Sequence, residues 1–385
     1  MPIARNAAID QTPPRAEVVV DLDAVRHNVT MLAERAGDAE LMVVVKADGY
    51  GHGAVQIAKA ALEAGASWLG VCSLAEGLRL RAAGIRAPML SWLDVPETDF
   101  APAVAAGIDI SVSSLRELRA VRAASDDLGG VGAHVHLKID TGLSRNGCPS
   151  ADWPDLVRAA AAAEAGPHFH VRAVWSHLAC ADEPGHPSID QQAERFAAAY
   201  SVATEAGLRP MRHLANSAAT LTRADLRFDL VRAGIAVYGL NPVPQHEDLI
   251  PAMTFASTVV LTKRVAAGES VSYGHTWTAP RDTTLALVPV GYADGVPRGL
   301  SGHLRVLLGG RSRPVVGRVC MDQLVVDCGD DPIAAGDRVV LFGTGKEGEQ
   351  TATEWADQLG TIDYEIVTGM CRPRVARRYL GEDAS

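Results

Sequence analysis

Residues 41–53, LMVVVKADGYGHG, begin as an apolar, β-branched run and end in a turn with three glycines. The run is long enough for one fully buried strand of a parallel sheet. Lys46 ends the run, and a lysine at the mouth of a buried strand loses solvation, which makes its neutral amine more accessible. A lysine that forms a Schiff base needs this property. The glycines let the backbone approach a bound group, and Tyr50 can direct a hydroxyl at it. A lysine that only extends its ammonium from a strand end into solvent fits the same residues.

Length and charge limit the classes of protein to consider. The chain has 385 residues, which is long for one domain, so we expect two. It carries 46 acidic and 36 basic residues, with no basic block apart from a short arginine cluster near the C-terminus. Nucleic acid and anionic membranes are therefore not expected as partners. No apolar run reaches membrane-spanning length.

The N-terminus and the cysteines indicate the compartment. Residues 1–15 have no apolar segment of the signal-peptide kind and are predicted to be a disordered lead-in. The six cysteines are scattered, without CxxC spacing, at positions 72, 148, 180, 320, 328 and 371. This argues against a disulfide scaffold or a zinc ribbon and fits a reduced compartment. We expect a cytoplasmic protein without a structural metal.

Apolar runs alternate with helical stretches through the first two thirds of the chain. The predicted buried strands are 42–47, 68–73, 88–92, 109–113, 133–140, 171–178, 212–216 and 230–233. Amphipathic segments lie between them, at Leu74–Ala83, Ser114–Ala124, Asp155–Ala165 and Gln191–Ala206. Eight strands alternating with helices predict an α/β fold, a TIM-like (β/α)8 barrel over residues 16–245. An open doubly wound sheet is the competing fold, but the GxGxxG fingerprint it usually carries is absent.

The texture changes after a proline-rich linker near 241–251. Short β-rich runs separated by Gly, Asp and Pro turns follow, at 257–264, 284–290, 304–308, 314–320, 324–328 and 338–342, with one helix near 353–359. We therefore predict a C-terminal, mostly-β domain over residues 246–385. The early run 16–21 is a candidate additional strand of this domain.

Polar groups collect where the barrel strands end, which is where barrel enzymes carry their chemistry. They are Lys46, the run Lys138–Arg145, Ser176 with His177, Asn216 with Ser217, and the run Arg232–Ile235. The loops after strands seven and eight often bind phosphate, and here they offer a serine hydroxyl and the amides of Gly234 and Ile235. Each group alone is ordinary turn or core chemistry. Their joint placement favours a functional site.

Nine motifs make the chain resemble the alanine racemases from about Ala16 to Tyr379. They are VVVKADGYGHG, KIDTGLSRNG, WSHLACAD, ANSAA, VRAGIAVYG, VSYGHTW, VPVGYADGVPR, VGRVCMDQ and TIDYEIVTGM. The resemblance implies an enzyme that interconverts L- and D-alanine with pyridoxal 5'-phosphate (PLP) by a two-base mechanism, supplying D-alanine for peptidoglycan. Gly-Leu-Ser-Arg at 142–145 departs from the Gly-Met-Gly-Arg of many members, and Ala376 stands where a proline is common.

The resemblance also assigns roles to residues of this sequence. Lys46 bears PLP and acts as one acid/base group, with Tyr273 as the other. Further cofactor contacts fall to Tyr50, His177, Asn216, Ser217, Arg232, Gly234, Ile235 and Tyr364. Arg145 and the backbone around Met321 hold the substrate carboxylate, Tyr292 and Tyr364 narrow the entrance, and Lys138 is the candidate for carbamylation.

Arg232 and Tyr273 carry the sharpest chemical meaning. A guanidinium beside the pyridine nitrogen does not give up its proton, so the ring is a weaker electron sink than with an aspartate partner. That suits a short-lived carbanion. Two groups on opposite faces of the carbanion remove and return its proton, which Lys46 and Tyr273 can do. An ion pair of Arg232 with Asp229 and a structural role for Tyr273 are the ordinary alternatives.

Assembly follows from the same assignment. Lys46 belongs to the barrel and Tyr273 to the β-domain, and the family combines them in homodimers with shared active sites. We expect this homodimer here, with alanine as the small-molecule substrate.

Other functions fit some of the same residues. A racemase that also accepts serine would share every motif. A metal-dependent barrel hydrolase could use His134, His136, a carbamylated Lys138 and His177. A non-catalytic PLP carrier would not need Tyr273, and a PLP decarboxylase would share Lys46. The motifs around Tyr273 and Met321 favour the racemase.

Overall fold

The computed structural model describes residues 14–243 and 248–381. Of the predicted lead-in, all but residues 14 and 15 lie outside this description. The described residues divide into two compact units, one within 23–250 and the other made of 14–22 and 251–381. The predicted boundary at 245/246 falls within 244–247, a stretch that is also outside the description.

The first unit is a barrel of eight parallel strands. Strand β1 (Ala16–Asp21), which belongs to the second unit, and helix α1 (Leu22–Ala36) precede it. The barrel strands are β2 (Glu40–Val44), β3 (Trp68–Val71), β4 (Met89–Ser91), β5 (Asp109–Val112), β6 (Ala133–Lys138), β7 (Phe169–Trp175), β8 (Met211–His213) and β9 (Leu230–Ala233). From β2 to β8 each strand pairs with the next along the chain, and β9 pairs with β2.

The barrel is nearly closed between its last two strands. The N–H of Asp229 donates to the carbonyl of Arg212 at 3.2 Å, and that of Arg232 donates to the carbonyl of Ala215 at 3.0 Å. These bonds join the segments around β8 and β9 and leave little free edge.

Helices follow the strands around the barrel. They are α2 (Lys46–Tyr50), α3 (Ala54–Glu63), α4 (Leu74–Ala82), α5 (Ala101–Ala105), α6 (Leu115–Asp127), α7 (Trp153–Glu164), α8 (Pro187–Glu205) and α9 (Ser217–Thr222), with 3₁₀ helices at Ala224–Leu226 and Ile235–Tyr238. Helices α4 and α6 are each capped by the serine before them, Ser73 and Ser114, whose side chain accepts a backbone N–H of the first turn.

The second unit is built on a nine-stranded sheet. Its further strands are β10 (Met253–Thr258), β11 (Leu261–Val265), β14 (Thr283–Val288), β15 (Arg305–Leu308), β16 (Arg311–Val316), β17 (Leu324–Gly329), β18 (Arg338–Phe342) and β19 (Ala376–Leu380), while β12 (Ser270–Val271) and β13 (Trp277–Thr278) form a separate ribbon. The order is β11-β14-β17-β16-β15-β18-β10-β1-β19. Strand β1 runs antiparallel to β10 and parallel to β19, so the strand 16–21 lies in the sheet of the second unit.

Two helices and a compact aromatic core complete the second unit. The helices are α10 (Ala352–Leu359) and α11 (Asp363–Gly369), and 3₁₀ helices lie at Tyr273–His275, Tyr292–Asp294 and Arg298–Leu300. The ring of Phe342 packs against Phe255 at 5.9 Å between centroids and against Trp355 at 5.0 Å. A barrel followed by a mostly-β domain was the predicted fold class, and it is confirmed.

Candidate active site

A left-handed turn follows Lys46 at the end of β2. Residues 47–50 have φ angles between 51° and 63°, and the N–H of Gly49 donates to the carbonyl of Val45 at 2.9 Å. Helix α2 is therefore one turn of left-handed helix. This conformation costs a non-glycine residue about 1–2 kcal/mol, so contacts around the turn have to hold it.

Two carboxylates supply such contacts, one from another helix and one from the turn itself. Glu76 Oε1, on α4, accepts the N–H of Ala47 at 2.8 Å. Asp48 Oδ1 accepts the N–H of Ala54, the first residue of α3, at 2.9 Å. The turn that carries Lys46 is thus bonded to the two helices that follow it.

Lys46 itself is partly buried at the barrel mouth. Burial lowers the pKa of its ammonium, and the charge of Arg145 lowers it further, while Cys72 and Glu76 act in the opposite direction. Its Nζ lies 5.7 Å from the centroid of the Tyr50 ring. The predicted loss of solvation at this lysine is therefore present, and it favours the neutral amine that a covalent link requires.

Tyr50, Ser217 and Gly234 meet in a small cradle beside this turn. A Cβ added to Gly234 would lie 2.6 Å from the Tyr50 hydroxyl. Ser217 Oγ accepts the N–H of Gly234 at 2.8 Å and lies 3.5 Å from the N–H of Ala236. Hydroxyls and backbone N–H groups converging on a position where a Cβ would crowd the Tyr50 hydroxyl are suited to hold a phosphate.

The residues that form the cradle are held in place by neighbouring hydrogen bonds and ring contacts. Asn216 caps α9, with Oδ1 accepting the N–H of Ala219 at 3.1 Å. Ile235 is buried and begins the 3₁₀ helix that ends at Tyr238. The Tyr238 ring lies 4.8 Å from that of Tyr50, and its hydroxyl donates to the carbonyl of Val44 at 2.8 Å.

Arg232 is a buried cation without a carboxylate partner among the described residues. Its guanidinium donates to His213 Nδ1 at 3.0 Å and to the carbonyls of Ser176 and Leu214 at 2.8 and 3.0 Å. Burial lowers the pKa of Arg232 to about 9, so it remains protonated at neutral pH. The alternative ion pair with Asp229 is wrong, because Asp229 pairs with Arg212 at 3.0 Å.

His177 lies next to this guanidinium, with its Nδ1 3.4 Å from Arg232 Nη2. Burial lowers the pKa of the imidazole well below its usual range, and the charges of Arg232, Lys138, Arg145 and Lys46 lower it further. His177 is therefore neutral at neutral pH.

Lys138 and Arg145 place positive charge at the end of β6. Lys138 Nζ lies 4.2 Å from the centroid of the Trp175 ring, and the side chain is only 5% exposed. Burial, together with the charges of Arg232 and Arg145, lowers the pKa of Lys138 to about 8. Asp140 is near enough to act on the pKa of Lys138, but the two side chains form no ion pair within the described chain.

The conformation of the loop between Lys138 and Arg145 is set by residues of the loop itself. Asp140 Oδ1 accepts the N–H groups of Gly142 and Ser144, at 2.9 and 3.1 Å, as in an Asx turn. Ser144 has φ = 57°, in the left-handed region that favours glycine. The serine at this departure from the family pattern therefore carries backbone strain directly before Arg145.

The second unit contains the other predicted site residues, beginning with Tyr273. Its side chain is 72% exposed, and the residues on either side, Ser272 and Gly274, have positive φ. Ser272 Oγ donates to the carbonyl of Arg318 at 2.9 Å, and the Arg318 guanidinium lies against Gly274. The turn thus presents the phenol outward on a fixed backbone.

Tyr292 and Met321 lie on two segments that are hydrogen-bonded to each other. The N–H of Tyr292 donates to the carbonyl of Cys320 at 3.0 Å, and the N–H of Ala293 donates to that of Met321 at 3.0 Å. A Cβ on Gly291 would lie 2.1 Å from the Cys320 carbonyl, so the approach requires glycine. Both side chains are exposed, whereas Tyr364 lies half-buried near the start of α11.

The alternative of a metal-dependent hydrolase loses support from these contacts. Among the described residues, no three His, Cys, Asp or Glu side chains are grouped to hold a metal ion. His136, one of the ligands considered, instead bonds Asp109 and His213, at 3.1 and 2.9 Å. In the same parts of the chain, no helix is long and apolar enough to cross a membrane.

Sequence reasoning did not predict the residues that hold the site residues in place by hydrogen bonds. Asp109, His136 and His213 form a buried chain that ends on Arg232. Gln192 donates to Thr141 Oγ1 and to the carbonyl of His177, at 3.1 and 3.0 Å. A polar residue at an otherwise buried position of α8 was the available signal for Gln192.

Known proteins match nearly the whole chain. Residues 20–242 match the family model of the alanine racemase N-terminal domain, and residues 252–379 that of the alanine racemase C-terminal domain. Alanine racemase from Salinispora arenicola is 56% identical over 371 residues, covering 96% of this chain and 99% of the relative.

Solved structures agree with the sequence matches. A crystal structure of alanine racemase from Streptomyces lavendulae has a TM-score of 0.93 at 50% identity and covers 97% of this chain and 98% of its own. One from Bartonella henselae, with covalently bound pyridoxal phosphate, has a TM-score of 0.86 at 28% identity, covering 96% and 100%. The chain therefore belongs to the alanine racemase family.

Proposed function

We propose that this chain interconverts L- and D-alanine with PLP held on Lys46. The observation that carries the proposal is the arrangement at the barrel mouth. There a desolvated lysine, a cradle of hydroxyls and N–H groups, and a buried arginine with no carboxylate partner among the described residues lie within one unit. Each corresponds to one end or edge of PLP.

The residues present fit this cofactor. The Tyr50 and Ser217 hydroxyls and the amides around Gly234 and Ile235 would hold its phosphate, with Tyr364 as a further contact. Asn216 would act through its cap on α9. His177 would pack on the ring, and Arg232 would meet the pyridine nitrogen. When bound, PLP withdraws electrons from the amino-acid Cα, which makes the hydrogen there acidic.

Arg232 limits how far that withdrawal goes. Its pKa of about 9 keeps the guanidinium charged at neutral pH, so it does not give a proton to the ring nitrogen. A weaker electron sink favours prompt return of the proton to Cα over side reactions. This is the property that racemisation needs.

Lys46 and Tyr273 would move the proton. Racemisation takes a proton from one face of Cα and delivers one to the other, so it needs two groups on opposite faces. Burial favours the neutral amine of Lys46, and Tyr273 presents an exposed phenol on a fixed turn. Each can accept the proton in one direction and donate it in the other.

The remaining residues would select the substrate. Arg145 and the backbone at Met321 would bind the carboxylate of alanine, and Tyr292 and Tyr364 would narrow the entrance so that a small side chain is preferred. A carbamate on Lys138 would replace a repulsive charge by one that steadies Arg145. The low pKa of Lys138 favours this, because only the neutral amine reacts with carbon dioxide.

The active form would be a homodimer in the cytoplasm, supplying D-alanine for peptidoglycan. Tyr273 and Lys46 belong to different compact units, and Tyr273, Tyr292 and Met321 expose large side chains on the second unit. A second copy of the chain that covers this surface would pair the Tyr273 of one subunit with the Lys46 of its partner.

Labelling and activity test the proposal together. Borohydride treatment of the yellow purified protein should fix the cofactor on the peptide that contains Lys46, and the protein should equilibrate L- and D-alanine. Lys46→Ala should abolish both, while Lys59→Ala, at an exposed lysine of α3, should leave both unchanged. Label on a different lysine, or a colourless inactive wild type, would overturn the assignment. Serine assayed beside alanine measures the breadth of specificity.

A further inference from the structure

The left-handed turn after Lys46 depends on a carboxylate that belongs to another element. Glu76 is the third residue of α4 and completes a capping box with Ser73. Its Oε2 accepts the N–H of Cys72 at 2.7 Å and that of Ser73 at 3.3 Å. These bonds hold the start of the helix and are ordinary for this position.

The other oxygen of the same carboxylate makes a hydrogen bond outside its own helix. Glu76 Oε1 accepts the N–H of Ala47 at 2.8 Å. This bond joins α4, the helix after β3, to the turn that follows β2. Ala47 is the residue directly after Lys46 and has φ = 51°. A charged acceptor on this N–H fixes the peptide plane at the point where the chain enters the left-handed conformation.

A second helix of the same barrel shows that the cap does not require this bond. Helix α6 also begins Ser-x-x-Glu, and Glu117 Oε2 accepts the N–H of Ser113 at 2.6 Å. Within the described chain, Glu117 makes no bond to a neighbouring strand end. The bond to Ala47 is therefore specific to Glu76 and not a by-product of capping.

We propose that Glu76 is a positioning residue for Lys46. By holding the N–H of Ala47, its carboxylate fixes the turn and so aims the Lys46 amine. The proposal rests on the proposed function in so far as Lys46 is the cofactor lysine. The carboxylate charge of Glu76 has a separate effect, since it raises the pKa of Lys46 against the effect of burial.

The test compares Glu76→Gln with Glu117→Gln in the full-length, cofactor-loaded enzyme. Both substitutions neutralise a cap, but only the first removes the charged acceptor from the N–H of Ala47. We expect Glu76→Gln to increase deuterium uptake in the peptide that spans residues 46–53 and to lower kcat about tenfold, as misplacement of a reacting group does. The KM for alanine should change little, because Arg145 is untouched. Glu117→Gln should show neither effect.

A second substitution distinguishes an effect on the position of Lys46 from a general loss of stability. Glycine adopts positive φ without strain, so Ala47→Gly added to Glu76→Gln should restore protection of 46–53 and part of kcat. Equal exchange and equal kcat in the Glu76 and Glu117 variants would overturn the proposal, as would lost kcat with unchanged exchange. If Glu76→Gln does not fold, Glu76→Asp and Glu117→Asp take the same comparison. Failure of the proposed function would show instead as wild-type label away from Lys46.

Discussion

At the scale of single residues, the site is set by how burial changes charge. Burial lowers the pKa values of Lys46, Lys138 and Arg232 and keeps His177 neutral. Sequence reasoning anticipated this only for Lys46, since its apolar run shows in the sequence. The burial of Lys138 against Trp175 depends on two strands that are remote in sequence.

Lys138 should make stability depend on pH. Its pKa is about 8 in the folded protein against 10.5 for the free side chain, so the unfolded chain binds more protons between these values. Stability therefore rises with pH across this window. Lys138→Met should be more stable than wild type at pH 7, by about 3 kcal/mol, and the difference should shrink as the pH approaches 10.5.

Urea unfolding at several pH values measures this difference. The buffers should be free of carbon dioxide, because a carbamate would replace the buried cation and remove the advantage of methionine. Added bicarbonate should then raise the stability of the wild type but not that of Lys138→Met. A difference between the two proteins that does not change with pH would contradict the assigned burial of charge.

Tyr273 offers a test of the two-base assignment at the same scale. Tyr273→Phe keeps the ring and removes the acid/base hydroxyl, so racemisation should fall by at least about a hundredfold. The Cα hydrogen of one enantiomer should still exchange with solvent deuterium through Lys46. Tyr200→Phe loses a hydroxyl that bonds the Pro210 carbonyl at 3.1 Å and should keep normal activity. Racemisation at the wild-type rate in Tyr273→Phe would exclude the phenol as a base.

At the scale of elements, sequence pattern predicted strands better than turns. Every predicted barrel strand overlaps an observed one, because most of these strands are apolar runs that show in the sequence. The predicted run 42–47 ends late, since the chain leaves β2 after Val44 for the left-handed turn. Three non-glycine residues at positive φ there oppose local propensity and depend on bonds from α3 and α4.

The second unit shows the same limit. Its sheet runs were predicted as short β segments, but 257–264 is two strands, β10 and β11, separated at 259–260. Strand β19 and helix α11 were not predicted. The alternating burial of β19 occurs at the edge of the sheet, next to β1 from the other end of the chain. No local pattern encodes that pairing.

The cradle around Gly234 gives a test at this scale. Gly234→Ala would place a Cβ 2.6 Å from the Tyr50 hydroxyl, so either the turn after Lys46 or the segment after β9 has to shift. Overpacking of this kind costs about 1–3 kcal/mol, and PLP affinity should fall about ten- to hundredfold in a titration of the cofactor-free protein. The fold should persist, as checked by circular dichroism.

A matched glycine and a second substitution check the cause. Gly132→Ala adds a Cβ with nothing within 4 Å and should leave PLP affinity unchanged. Tyr50→Phe removes the clashing hydroxyl, so Gly234→Ala combined with Tyr50→Phe should bind PLP no worse than Tyr50→Phe alone. If the two losses simply add, the hydroxyl is not what Gly234 accommodates.

At the scale of the whole molecule, the sequence places the two proposed acid/base groups in different units. Lys46 lies within 23–250, and Tyr273 lies within 251–381. Tyr273, Tyr292 and Met321 leave large side chains exposed on the second unit, as at a surface that another chain covers. These features give a shared-site homodimer its clearest prediction.

Complementation between inactive subunits tests this dimer. Lys46→Ala and Tyr273→Ala homodimers should both be nearly inactive, because each lacks one group in both sites. In a mixed dimer, one site lacks both groups and the other has both, so about half of the wild-type activity per dimer should return. Differently tagged subunits, co-expressed and purified through both tags, give the mixed dimer free of its parents. The control carries both substitutions on one subunit beside a wild-type subunit, which leaves each site one group short and should stay inactive. Mixed dimers as inactive as their parents would mean that Tyr273 serves its own chain or is not a base.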